Sequence, residues 1–222
     1  MTKNKAVIFD MDGVIIDSEK LWVQADNEIF SSLGVVITNE LLEMTKTMTT
    51  SEVTKFWYDI FPWQDVELNE VENMVVSRVI ELIETEECYI NGVKPFIEQL
   101  KTYNYKIGLA TNSPSKIIPV VLNKLDMTHL FDAVCSADFV KKAKPDPEIY
   151  YETAKKLNVA PNDCIVIEDS YSGMLAAKNA GMTVVAFTNG NKDLNFEIAD
   201  YSIDKFDIQE IDKTISRYSF VQ

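Results

Sequence analysis

Ala6-Val7-Ile8-Phe9-Asp10-Met11-Asp12-Gly13 is the stretch from which the fold of this chain can be worked out. Four consecutive apolar residues followed at once by polar ones are typical of a buried strand in a parallel sheet. Two carboxylates one residue apart then stand at the end of that strand, just before a glycine. Like charges this close raise each other's cost of ionisation, so folding alone does not favour the pair. The arrangement indicates a bound cation or a proton-transfer task.

Similar short apolar runs predict five further strands along the chain. They are Lys106–Ala110, Ala133–Cys135, Cys164–Ile167, Thr183–Phe187 and the weaker Tyr201–Ile203. Helical patterns lie between them, at Lys94–Tyr103, Ser115–Leu125, Pro147–Leu157 and Ser172–Ala180. Alternating strands and helices predict right-handed crossovers and an α/β fold with a doubly wound, Rossmann-like parallel sheet.

Residues 18–88 interrupt this alternation. They contain helical patterns at Ser18–Leu33, Ser51–Phe61 and Asn69–Glu87, and no convincing strand. An insert directly after the first strand would lie over the carboxyl end of that strand, where ligands bind in open α/β sheets. We therefore predict an α/β core domain of residues 1–17 and 89–222, with an all-helical cap domain of residues 18–88.

The composition excludes several classes of function. Asp and Glu outnumber Lys and Arg by 35 to 21, and the net charge of −14 argues against nucleic acid and anionic membranes. No apolar run reaches the roughly 18 residues of a membrane span, and the run after Met1–Lys5 is too short for a signal peptide. Cys88, Cys135 and Cys164 lack C-x-x-C spacing and are expected to be buried free thiols, while a single histidine, His129, argues against zinc. We expect a monomer in the cytoplasm.

Polar residues stand at four places where predicted strands end or a crossover helix is about to begin. They are Asp10 with Asp12, Thr111 with Asn112, Lys144, and Glu168 with Asp169. The carboxyl ends of parallel strands share one edge of the sheet, so these residues should converge. Several carboxylates in one crevice favour Mg²⁺, which uses one or two carboxylates together with waters and phosphate oxygens. A lysine, a hydroxyl and backbone N–H groups beside them would suit the binding of a phosphate.

The ordered set of motifs resembles one family. Asp10-Met11-Asp12-Gly13-Val14, Thr111, Lys144 and Glu168-Asp169 are similar, in order, to the four motifs of the haloacid dehalogenase (HAD) superfamily. Each motif alone is weak, but the ordered set is specific and covers nearly the whole chain. The helical insert resembles the small cap of the β-phosphoglucomutase-like branch.

Motifs within the insert narrow the resemblance. Asp17-Ser18-Glu19-Lys20-Leu21-Trp22, and Trp57-Tyr58 with Pro62-Trp63, resemble the bacterial 2-deoxyglucose-6-phosphate phosphatases, also called hexitol phosphatases. The resemblance therefore implies a Mg²⁺-dependent phosphatase that acts on sugar or sugar-alcohol phosphates through an aspartyl-phosphate intermediate.

The resemblance also implies a role for each matching residue. Asp10 would be the nucleophile, and Asp12 the general acid and base, whose backbone carbonyl also binds Mg²⁺. Asp10 and Asp169 would be the carboxylate ligands of the metal, with Glu168 supporting them or replacing one. Phosphate contacts are implied for Thr111, Asn112 and Lys144, and the ring of Trp22 is a candidate contact for the sugar. The residues expected to bind substrate are Asp10, Met11, Asp12, Trp22, Thr111, Asn112 and Lys144.

A phosphosugar mutase is the chief alternative. In the β-phosphoglucomutase pattern a histidine stands at the position of Trp22, and an arginine stands in the cap loop that here reads Lys46-Thr47-Met48-Thr49-Thr50. A mutase must hold a second phosphate and limit attack by water, so the lack of that arginine favours a phosphatase. Asp12 argues against dehalogenases and phosphonate hydrolases, which lack this acid. A phosphosugar-binding protein without turnover would be expected to lose Asp10 or Asp12, and both are present.

Overall fold

The computed structural model describes residues 5–46, 48–191 and 197–207. Across these residues, six parallel strands form one sheet in the order β3-β2-β1-β4-β5-β6. The strands are β1 (Ala6–Phe9), β2 (Lys106–Thr111), β3 (Ala133–Ser136), β4 (Cys164–Glu168), β5 (Thr183–Phe187) and β6 (Tyr201–Ile203). The predicted parallel α/β fold is confirmed, and each strand lies within one residue of its predicted bounds.

Four helices separate β1 from the first crossover helix, and the remaining helices alternate with the strands. They are α1 (Glu19–Ser32), α2 (Asn39–Thr45), α3 (Thr50–Ile60) and α4 (Leu68–Thr85), then α5 (Val93–Thr102), α6 (Ile117–Lys124), α7 (Glu148–Leu157) and α8 (Tyr171–Asn179). Seven of them begin and end within two residues of the predicted helices. The sequence did not predict α2, because seven residues are too few to repeat a helical pattern.

The helices cover both faces of the sheet. Side chains of α5 and α6 pack with Val7 and Phe9 on one face, and side chains of α7 and α8 pack with Ala6 and Ile8 on the other. This follows from the alternation of side chains along a strand, which directs neighbours to opposite faces. The strand order reverses between β1 and β4, and ligands of doubly wound sheets bind at such a reversal.

The helical insert contains a group of packed aromatic rings, which belongs to the same hydrophobic cluster as Val7 and Phe9 of the sheet. The Trp57 ring is fully buried, and its centroid lies 6.0 Å from that of Phe30. Trp63 also packs against Phe30, with the ring centroids 6.1 Å apart. These rings hold α1 and α3 together within the insert.

The chain leaves and re-enters the sheet region at adjacent points. Ile16 and Tyr89 form an antiparallel bridge, and the Asp17 N–H donates to the Cys88 carbonyl over 3.0 Å. The ends of the insert are therefore held side by side. Within the described residues, no helix combines the length and the apolar character needed to cross a bilayer.

Candidate active site

The predicted polar residues converge at the point where the strand order reverses. Asp10, directly after β1, donates its N–H to the carbonyl of Ile167 in β4 over 3.0 Å. A cavity of about 670 Å³ opens there between the sheet and the insert. Among the residues that line it are Asp10, Asp12, Trp22, Thr111, Asn112, Lys144 and Asp169.

Lys144 is the lysine of the Lys141–Lys144 segment that enters the site. Lys144 is 6% exposed, whereas Lys142, two residues earlier, is exposed to solvent. The Lys144 ammonium donates to Asp10 Oδ1, to Glu168 Oε1 at 2.6 Å and to the Ala110 carbonyl at 2.9 Å. Burial lowers the pKa of Lys144, but the attraction of Asp10 and Glu168 outweighs it and raises this pKa well above its usual range. Lys144 therefore places a positive charge beside Asp10.

Glu168 accepts five hydrogen bonds. Its Oε1 accepts from Lys144 and from the Tyr150 hydroxyl at 2.9 Å. Its Oε2 accepts from the N–H groups of Asp169 and Ser170, both at 3.1 Å, and from the Ser170 hydroxyl at 2.9 Å. Because both oxygens are already well supplied with donors, this geometry favours Glu168 as the residue that positions Lys144 rather than as a metal ligand.

In the part of the chain that the structure describes, the Asp169 carboxylate, unlike that of Glu168, is surrounded by other carboxylates rather than by donors. One carboxylate oxygen from each of Asp10, Glu168 and Asp169 lies within 4.8 Å of the others. No hydrogen-bond donor within the described ranges reaches the Asp169 carboxylate. Burial, and then repulsion from Glu168 and Asp10, raises the pKa of Asp169 well above its usual range. A hard divalent cation would remove this repulsion, and the all-oxygen ligand set fits Mg²⁺.

Gly13 allows the Asp169 carboxylate to occupy this position. A Cβ atom at residue 13 would lie 1.9 Å from Asp169 Oδ2, and Gly13 also has φ +78°. We expect Gly13→Ala to displace the carboxylate and weaken Mg²⁺ binding at least about tenfold, because metal sites tolerate little movement of a ligand. Calorimetric titration with Mg²⁺ measures this.

Gly34→Ala is the matched control for this prediction. Gly34 has nearly the same backbone conformation, φ +85°, but nothing lies within 4 Å of its Cβ position. Both variants therefore carry the strain of a left-handed alanine, and only one displaces Asp169. Equal Mg²⁺ affinity in the two variants would contradict the assignment of Asp169.

The Asp12 carboxylate is held by four donors. Its Oδ1 accepts from the Ser18 hydroxyl and from the Trp22 indole at 3.0 Å. Its Oδ2 accepts from the Ser113 hydroxyl at 2.7 Å and from the Thr111 hydroxyl at 3.3 Å. Hydroxyl groups can accept as well as donate, whereas an indole only donates. The arrangement therefore accommodates a proton on Oδ2 as well as the ionised form.

Trp22 connects the insert to the sheet. It lies on α1, and its ring nitrogen contacts Asp12, which follows β1. The sequence indicated this ring as a sugar contact. In the structure it lines the cavity and also orients the Asp12 carboxylate.

Asn112 and Met11 contact their surroundings in ways that the motifs do not reveal. The Asn112 side chain accepts from the Lys144 N–H at 3.0 Å and donates to the Lys144 carbonyl at 3.3 Å. It therefore holds the lysine segment in place. The Met11 side chain is fully buried in the core, so only its backbone can contact a substrate. In the cap loop, Thr47 lies outside the described residues.

Sequence reasoning missed four polar residues around the site. Ser18 and Ser113 bond Asp12, and Tyr150 bonds Glu168. Asp26, on α1, lines the cavity. Asp26 could have been found from the sequence, because it stands four residues from both Trp22 and Phe30, and residues at this spacing share a helix face. Tyr150 could not have been found in this way, because a tyrosine on the apolar face of α7 has the pattern of an ordinary core residue.

The sequence and the structure match known proteins over most of the chain. The profile of the family described as haloacid dehalogenase-like hydrolase matches residues 7–187. Hexitol phosphatase B of Escherichia coli strain K12 is 38% identical over 202 residues, which cover 89% of this chain and 90% of the relative. A phosphorylated carbohydrates phosphatase of Thermotoga maritima is 34% identical over 184 residues, covering 80% and 82%. A solved β-phosphoglucomutase from Clostridium difficile has a TM-score of 0.84 at 28% identity, covering 97% of this chain and 99% of that chain.

Proposed function

The chain belongs to the haloacid dehalogenase-like hydrolase family, and on this basis we propose that it is a Mg²⁺-dependent phosphatase of small phosphorylated metabolites. The substrates would be sugar or sugar-alcohol phosphates, as the names of the two phosphatase relatives suggest. One observation carries the proposal: a buried Asp10 paired with Lys144 shares a cavity with an Asp12 held by hydroxyl groups.

In the first step, Asp10 attacks the phosphorus atom. Lys144 contacts one Asp10 oxygen, so the other is our candidate nucleophile. A bond forms from this oxygen to phosphorus while the bond to the leaving oxygen breaks. Asp12 gives a proton to the leaving oxygen, and the sugar or polyol departs as a neutral alcohol. The product on the enzyme is an aspartyl phosphate at Asp10.

In the second step, water attacks the aspartyl phosphate. Asp12, now ionised, takes a proton from the water, and the bond between phosphorus and Asp10 breaks. Inorganic phosphate leaves, and both carboxyl groups return to their starting states. The four donors around Asp12 orient it for both proton transfers. Lys144, beside Asp10, would offset the negative charge of the phosphoryl group, and the Thr111 hydroxyl would bind one of its oxygens.

Asp10 and Asp169 would hold the metal. A bound Mg²⁺ supplies positive charge that offsets the repulsion between a carboxylate nucleophile and a phosphate dianion. Without it, Lys144 is the only cation in contact with Asp10 among the described residues, and Lys144 is shared with Glu168.

Removal of the metal is expected to stop the reaction. Excess EDTA should lower phosphate release at least about 100-fold, because positioning and charge neutralisation supply most of the catalysis of phosphoryl transfer. Addition of Mg²⁺ in excess of the chelator should restore the activity. Full activity in EDTA would contradict the proposed metal dependence. The assay is phosphate release from a panel of phosphorylated sugars and sugar alcohols, which also identifies the preferred substrate.

A phosphosugar mutase is the second candidate, favoured by the structural similarity to β-phosphoglucomutase. It would need a cation for a second phosphate. In the described part of the cap loop, Lys46 is engaged by Glu43 at 2.8 Å and by Glu19 at 3.4 Å. Supplying β-glucose 1-phosphate distinguishes the two, since a mutase forms glucose 6-phosphate and a phosphatase releases inorganic phosphate.

The remaining proposals concern organisation and setting. Residues 18–88 form the cap domain on the core of residues 1–17 and 89–222, supported by the paired chain segments at Ile16 and Tyr89. The cysteines Cys88, Cys135 and Cys164 are free and buried, which suits a reducing compartment such as the cytoplasm. The enzyme would act there as a monomer, without binding nucleic acid or membranes.

A further inference from the structure

Asp26 is a buried acid that the proposed reaction does not use. It lies on α1, is 9% exposed and lines the same cavity as Asp10 and Asp12. In the ranges 5–46, 48–191 and 197–207, no hydrogen-bond donor or basic side chain reaches its carboxylate. Burial alone raises the pKa of this carboxyl to about 7.

An unpartnered buried carboxyl is unfavourable, so the position needs an explanation. Buried acids with a structural role are paired in folded proteins. The Asp132 carboxylate, for example, accepts from the Lys101 ammonium at 3.0 Å and from the Ile107 N–H at 2.8 Å. Asp26 faces a cavity instead, where a ligand can supply the missing donors.

The position of Asp26 relative to Asp12 suits the leaving group of the substrate. Trp22 contacts Asp12, and Asp26 follows Trp22 by four residues on the same helix face. Four residues of α-helix advance by about 6 Å. Asp12 would protonate the oxygen that leaves phosphorus, so Asp26 would lie near the part of the leaving group several carbon atoms away.

The walls around Asp26 are suited to a neutral leaving group rich in hydroxyls. Two lysines line the cavity within the described residues, and both are already paired: Lys144 with Asp10 and Glu168, and Lys46 with acids on the insert. Among the residues that the structure describes, no unpaired lysine is present to balance a second phosphate or a carboxylate beside Asp26. Hydroxyl groups, by contrast, would donate to Asp26.

We propose that Asp26 is a specificity residue that accepts hydrogen bonds from hydroxyl groups of the leaving sugar alcohol, and so selects polyhydroxylated monophosphates. This deepens the proposed phosphatase function and rests on it. Its carboxylate can bond two neighbouring hydroxyls at once, which an apolar side chain of similar size cannot do.

Steady-state kinetics with two substrates test the proposal. Glucitol 6-phosphate presents a chain of hydroxyls, and 4-nitrophenyl phosphate presents none. We expect Asp26→Leu to lower the ratio of kcat/KM for glucitol 6-phosphate to that for 4-nitrophenyl phosphate at least about tenfold, mainly through a higher KM for the hexitol phosphate. Asp26→Asn, which keeps one acceptor, should give a smaller decrease in the same direction.

Glu28→Gln is the control, because Glu28 lies on the exposed side of α1, paired with Arg78, and should leave the ratio unchanged. A ratio within twofold of wild type in both Asp26 variants would overturn the proposal. Wild-type enzyme that hydrolyses 4-nitrophenyl phosphate but not glucitol 6-phosphate would also overturn it, and would leave the phosphatase function standing. A wild-type enzyme inactive on both would instead refute the proposed function, and the role of Asp26 with it.

Discussion

Asp10→Asn is expected to abolish phosphate release, with a decrease in kcat of about 10⁴-fold or more. An amide nitrogen or oxygen cannot form the acyl phosphate, and the neighbouring carboxylates are committed to other contacts, with Asp169 the proposed ligand of the metal. Glu168 is fully bonded, and Asp12 is held by four donors away from Lys144. Single-turnover measurements of phosphate release with excess enzyme would detect residual chemistry.

The control for this variant is Asp59→Asn. Asp59 is an exposed acid on α3, paired with Lys55 at 2.8 Å, so the same chemical change there should leave turnover intact. Turnover by Asp10→Asn within tenfold of wild type would exclude Asp10 as the nucleophile and require another mechanism. Circular dichroism of both variants would establish that the fold is retained.

Lys144→Met is expected to remove activity and to destabilise the protein as well. Methionine preserves most of the side-chain volume but leaves the Asp10 and Glu168 carboxylates buried without their cation. Breaking a buried ion pair by removing one partner typically lowers the free energy of unfolding by about 3–5 kcal/mol. Urea unfolding at neutral pH measures this loss, and phosphate release measures the loss of activity.

The loss of stability should depend on pH in one direction. Burial raises the pKa of Asp10 to about 8 although Lys144 lowers it, so loss of Lys144 raises this pKa further and the folded variant binds protons more tightly than the unfolded chain. The stability of the variant therefore falls as pH rises through the carboxyl range, and its deficit relative to wild type is largest above it. At low pH, where these carboxyls are protonated, the deficit should shrink.

Lys142→Met is the matched control, because it removes the same charge two residues earlier. The Lys142 side chain is 76% exposed and lies 3.9 Å from Asp146, a distance at which a surface pair contributes little. We expect its stability and its activity to remain close to wild type. Similar behaviour of the two methionine variants would show that Lys144 is not the lysine of the site.

The location of the site was predictable, because the topology of a parallel sheet determines it. Asp10, Lys144 and Asp169 are far apart in sequence, yet each follows or faces the carboxyl end of a strand, and those ends share one edge. The order of strands and helices was therefore enough to predict that these residues converge, and the structure confirms the predicted fold.

The division of labour among the acids was less predictable. Glu168 and Asp169 are neighbours with the same charge, but one accepts five hydrogen bonds while none of the described donors reaches the other. This difference depends on which way each side chain leaves β4, and on partners such as Tyr150 that pattern reasoning assigns to the core. The role of Asp26 was not predicted either, since an isolated acid on a helix usually faces solvent.

The pairing of the two chain segments that lead into and out of the insert has an evolutionary consequence. Because the two chain segments cross beside each other at Ile16 and Tyr89, the insert can lengthen, shorten or be exchanged without altering the order of the strands. The residues that would carry out the chemistry stay on the sheet, while the surface facing the leaving group comes mainly from the insert. A lineage with this architecture can acquire new substrates by exchange of the insert at this point, provided that the new insert again supplies groups that hold Asp12, as Ser18 and Trp22 do here.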